Sequence, residues 1–73
     1  MTTNRTITHD GTLVLKYPPR RDLVAGACLN AGTRISTRDG PETLTRNALI
    51  KAVVFTGEQP NSGEWVIYYA WLS

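Results

Sequence analysis

Alternation of apolar and polar residues with a period of two marks strands at both ends of the chain. In the segment Thr12–Tyr17, Leu13, Leu15 and Tyr17 fall on one face, and Thr12, Val14 and Lys16 on the other. Asp10-Gly11 supplies a turn before it. Pro18-Pro19 ends the strand, because neither residue can donate to a ladder. Residues 18–22 follow as an extended surface connection carrying the adjacent Arg20 and Arg21.

The middle of the chain is less regular. Leu23–Leu29 fits either a short buried strand or one helical turn, and Gly26 weakens both. The turn residues Asn30-Ala31-Gly32 favour a strand, paired with a second one over Thr33–Thr37. There Ile35 faces inward, with Arg34, Ser36 and Arg38 on the alternate face. Asp39-Gly40-Pro41-Glu42 has the form of a helix start: Asp39 as cap, Pro41 in the first turn, and Glu42 placed to reach back. This predicts a helix from about Gly40 to Ile50, with Leu44, Ala48 and Ala52 forming a narrow apolar stripe beside Leu49. A helix that short must dock on a sheet to persist.

The C-terminal segment Lys51–Leu72 carries the strongest pattern. Ala52–Thr56 and Glu64–Leu72 are two strands around a turn-rich loop, Gly57–Gly63. In the second strand Trp65, Ile67, Tyr69 and Trp71 share one face, while Val66, Tyr68, Ala70 and Leu72 share the other. Both faces are apolar, and one helix can cover only one of them. The N-terminal strands, a barrel-like closure or a partner must cover the second. The elements together predict an α+β fold: a small antiparallel sheet of four to five strands with one short helix packed on it.

Length and composition narrow this further. The chain has 73 residues, enough for a single small domain spanning residues 1–73, with residues 1–5 expected to be flexible. Apolar residues make up 41% and charged residues 19%, a balance that argues against disorder. The lone Cys28 excludes an intrachain disulfide, and with the lone His9 it cannot furnish a usual structural zinc site. Cys28 lies among Ala, Gly and Leu, as a buried small hydrophobe would. The N-terminal residues have no apolar core of a signal peptide, and the run Trp65–Leu72 is far too short for a spanning helix. A soluble, cytoplasmic protein that does not engage membranes is expected.

No catalytic constellation is visible. His9-Asp10 has the residue types of a base and its orienter, but neighbours on a strand point to opposite faces. The acidic residues are scattered over turns, and no Gly-rich phosphate loop or metal cluster occurs. Neither an enzyme nor a cofactor is expected. What remains is binding. The net charge is +2, and six of the eight basic residues are Arg, the side chain suited to bidentate contacts with carboxylate or phosphate. Arg20, Arg21, Arg34 and Arg38, with the aromatic Tyr69 and Trp71, are the candidate partner-binding residues; Trp, Tyr and Arg are the types enriched at interface hot spots.

In its size, composition and missing active site, the whole chain resembles the small proteins that bacteriophages encode to take over host machinery. That resemblance implies an inhibitor or regulator of a large host enzyme, RNA polymerase first among them, acting in the bacterial cytoplasm as a monomer or weak dimer. Two other functions suit the same residues. One is a nucleic-acid-binding module that stacks bases on Tyr68, Tyr69 or Trp71 while the Arg side chains hold the backbone. The other is a structural, oligomerising phage subunit.

Overall fold

The computed structural model describes residues 8–57 and 63–72. The expected flexibility of residues 1–5 and most of the Gly57–Gly63 loop lie outside them. The described residues form six strands and no helix: β1 (Gly11–Leu15), β2 (Cys28–Leu29), β3 (Arg34–Thr37), β4 (Gly40–Thr43), β5 (Ala48–Phe55) and β6 (Trp65–Trp71). The fold is all-β, which overturns the α+β expectation.

The expected helix is replaced by a hairpin and the start of β5. Arg38-Asp39 forms a two-residue turn between β3 and β4, with Thr37 opposite Gly40. Gly40 has φ +115°, a conformation that only glycine adopts without strain. The Thr37 hydroxyl donates to the Gly40 carbonyl at 2.7 Å and accepts the Asp39 N–H at 3.2 Å, meeting locally the needs a helix cap would have met. Pro41 is tolerated because β4 is an edge strand. The β-branched Thr43, Thr45 and Ile50 add their preference for extended backbone. The intended helical stripe is divided: Leu44 and Ala48 enter the core, and Ala52 faces the other side of the sheet.

A four-stranded antiparallel sheet has the order β1-β6-β5-β2, and β3-β4 forms a separate two-stranded sheet. The expected pairing of Leu23–Leu29 with Thr33–Thr37 is therefore corrected. β3 finds β4 across the nearer turn, while β2 pairs with β5. The C-terminal hairpin forms as its pattern predicts, with Val53 opposite Ile67 and Phe55 opposite Trp65. A bulge at Lys51 shifts the register between Ile50 and Ala52, so that Ala48 and Ile50 before it and Val53 after it lie on the core side.

The core lies on one face of the larger sheet. Leu13, Leu15, Leu29, Ala48, Ile50 and Ile67 project from it, and Ile35, Leu44 and Leu23 close over them from the hairpin and the loops. Each large aliphatic side chain removed from water contributes roughly 1.5–3 kcal/mol. Trp65, Tyr69 and Trp71 pack against this cluster as its rim.

The opposite face carries Val14, Leu49, Ala52, Val54, Val66, Tyr68 and Ala70. The N-terminal strand does not wrap over it. β1 extends the sheet beside β6, and β3 touches only β1 and β4. No described strand stacks on this second face, and Val54 is 41% exposed there.

Candidate functional site

Three of the four candidate arginines meet at one groove. One backbone bond, from Arg38 N–H to the Val14 carbonyl at 2.9 Å, joins the turn after β3 to β1. Beyond it the chain enters Pro18-Pro19, which cannot form a ladder, and β1 and β3 remain in separate sheets. The resulting groove of about 350 Å³ runs between Leu15–Arg20 on one side and Arg34–Arg38 on the other. Leu15, Leu23 and Ile35, all buried, form its apolar base. Lys16, Arg20, Arg34 and Arg38 surround it.

These cations are not equally engaged. Arg20 lies 3.5 Å from Asp22, and Arg38 lies 2.8 Å from Glu64 and 3.9 Å from Asp39. Lys16 and Arg34 form no ion pair among the described residues, and both are exposed. The groove thus has two uncommitted positive charges beside an apolar base, a combination that attracts carboxylates or phosphates attached to an apolar or aromatic group.

The remaining candidates lie elsewhere. Arg21 borders a neighbouring groove formed by residues 18–21 and 23–25 with Val53 and Trp65. Tyr69 and Trp71 belong to the core side of the sheet, 4.9 Å apart in an edge-to-face contact, and the Arg46 guanidinium lies 5.3 Å from the Trp71 ring. Burial, and then the Glu42 and Asp10 carboxylates, raise the Tyr69 hydroxyl pKa above its ordinary value. The alternation over Thr12–Tyr17 places Tyr17 on the face shared by Leu13 and Leu15, which the structure buries. Instead Tyr17 is 73% exposed at the groove. The signal was its position before Pro18, which takes the chain off the sheet.

The His9-Asp10 pair is pulled apart. The Asp10 carboxylate accepts the Trp71 backbone N–H at 2.7 Å, and the His9 ring meets Tyr68 edge-on at 4.9 Å. Cys28 is exposed rather than buried, because its strand position turns it to the uncovered face opposite Leu49. Among the described residues no group of three or more His, Cys, Asp or Glu could hold a metal ion, and no helix is long and apolar enough to cross a membrane. Comparison with protein-family profiles, curated proteins and solved structures finds no match to this chain.

Proposed function

We propose that this chain is a small, non-enzymatic binding domain that regulates a larger protein assembly by seating an acidic segment of it in the groove between residues 15–20 and β3. The observation that carries this reading is the convergence of Lys16, Arg20, Arg34 and Arg38 on one apolar-based groove, with Lys16 and Arg34 unpaired. An acidic peptide bearing apolar side chains complements both features. A large bacterial enzyme such as RNA polymerase is the first partner to try, following the resemblance in size and style to phage takeover proteins.

One observation favours a second reading. Tyr17 is an exposed aromatic beside Lys16, Arg20 and Arg34, an arrangement on which single-stranded nucleic acid can stack a base and hold its phosphates. Fluorescence titrations separate the two, using a short glutamate-rich peptide with interspersed leucines and an oligothymidylate. Tighter binding of the peptide supports the protein-binding reading. Binding of the oligothymidylate alone, with affinity falling steeply as salt is raised, replaces it with the nucleic-acid reading. Binding of neither at low salt removes both.

A further inference from the structure

The groove is bordered on one side by an incomplete sheet. In an antiparallel pair, successive residues direct their N–H and C=O groups to opposite edges. In the β3-β4 hairpin the Leu44 N–H donates to the Thr33 carbonyl at 2.9 Å, which fixes the phase. Ile35 and Thr37 therefore direct their backbone groups to β4, whereas Arg34 and Ser36 direct theirs away from it. Arg38, next in that alternation, does bond across to Val14. No described residue bonds the backbone groups of Arg34 and Ser36. The open edge thus begins where β1 gives way to Lys16, Tyr17 and the two prolines, and it lies along the groove.

We infer that the groove takes its ligand as an added β-strand: an extended acidic peptide that pairs with the open edge of β3 at Arg34 and Ser36. Backbone N–H and C=O groups on an open strand edge are matched by another extended chain, and main-chain pairing of this kind supplies affinity while alternate side chains supply specificity. Side chains of such a strand would alternate between the apolar base at Leu15, Leu23 and Ile35 and the charged rim at Lys16 and Arg34. The complementary ligand alternates apolar and carboxylate residues. This inference rests on the protein-binding reading and specifies its ligand.

A second open edge provides an internal comparison. Thr56 N–H donates to the Glu64 carbonyl at 2.9 Å, so Val54 bonds to β6 while Val53 and Phe55 direct their backbone groups to the other side. β2 covers β5 only at Ala48 and Leu49. The neighbouring groove there is lined by Val24, Ala25, Val53 and Trp65, with fewer cations, and suits an acidic strand less well.

Amide hydrogen exchange, followed by NMR on the full chain, tests the inference. The probe is a short, capped peptide of alternating glutamate and leucine. At a peptide concentration about ten times its Kd, exchange at Arg34 and Ser36 should slow by about tenfold, with Val53 and Phe55 unchanged. N-methylating the peptide amides that face β3 should weaken binding by about two- to tenfold for each bond removed, whereas methylating the alternate amides should not. Because the modification is on the peptide, the folding of the protein is not at issue. Salt-sensitive binding that is indifferent to methylation and leaves both amides unprotected would overturn strand addition while retaining the acidic-partner reading. Absence of binding would overturn both. Protection at Val53 and Phe55 instead would assign the ligand to β5. Protection of Arg34 and Ser36 without peptide, rising with protein concentration, would make the occupant a second copy of this chain; either result overturns the inference.

Discussion

The Arg38 guanidinium donates to the Glu64 carboxylate at 2.8 Å, linking the turn of the β3-β4 hairpin to the residue before β6. The pair joins two parts of the chain twenty-six residues apart at the end of the groove. It also holds one groove cation on an internal partner, in competition with any acidic ligand.

Glu64→Gln should therefore release Arg38 for binding. Both side chains are substantially exposed, so solvent screens the pair and its loss should change stability by no more than ~1 kcal/mol. Affinity for the glutamate-leucine peptide should rise by roughly two- to fivefold, the equivalent of ~0.5–1 kcal/mol of released competition. Fluorescence anisotropy checks the affinity and urea denaturation the stability. Weaker binding by the variant would show that Glu64 orients Arg38 for the ligand rather than competing for it.

Gly11 and Tyr69 face each other across β1 and β6, and the Tyr69 ring lies over the position a Cβ on Gly11 would occupy. Gly11→Val should displace the ring and destabilise the fold by ~1–3 kcal/mol through overpacking. Adding Tyr69→Ala should make the valine substitution far less costly than it is beside Tyr69. Urea denaturation of the four proteins in this cycle measures the coupling, which additive effects would disprove.

Tyr69 also sets a pH dependence. Its raised pKa means that the folded state favours the neutral phenol more than the unfolded chain does. Its contribution to stability is fully present below the ordinary tyrosine pKa of about 10 and is lost as pH rises through the raised folded-state value. Denaturation followed from neutral pH to above pH 10 should show this decline, and Tyr69→Phe should reduce it. An identical decline in the variant would exclude Tyr69 as its source.

The two faces of the larger sheet should respond differently to truncation. Ile67 is fully buried, and Ile67→Ala should cost ~2–5 kcal/mol by leaving a cavity. Val54, 41% exposed on the uncovered face, should cost about 1 kcal/mol or less in Val54→Ala. Thermal or urea denaturation gives both values. Equal losses would mean that the second face is covered in solution.

The strand regions at both ends were legible because their alternation matches the pleat and their partners lie close in sequence, as in the β5-β6 hairpin. The centre was misread at Asp39-Gly40. The sequence there can cap a helix or close a hairpin, and what decides between them is tertiary: Ile35 and Leu44 both reach the same core when the chain turns back at Arg38-Asp39. The pairing of β2 with β5 joins residues about twenty apart in sequence and left no local trace beyond an apolar run. For the candidate site, the sequence identified the Arg residues but not their grouping. Arg20, Arg34 and Arg38 come together where residues 15–20 leave the larger sheet beside the separate β3-β4 hairpin, with a gap between them. Tyr69 and Trp71 had the residue types of an interface, yet their strand position turned them toward the core.

The most direct test of the groove is charge reversal at its two uncommitted cations, Lys16→Glu and Arg34→Glu. Both side chains are exposed and make no ion pair among the described residues, so circular dichroism and the unfolding midpoint should stay close to those of the unmodified protein. Affinity for the glutamate-leucine peptide, measured by anisotropy at low salt, should fall by about tenfold for each reversal, the equivalent of a charge-assisted hydrogen bond of ~1.5 kcal/mol. Unchanged affinity in the folded double variant would contradict the assignment of this groove as the binding site.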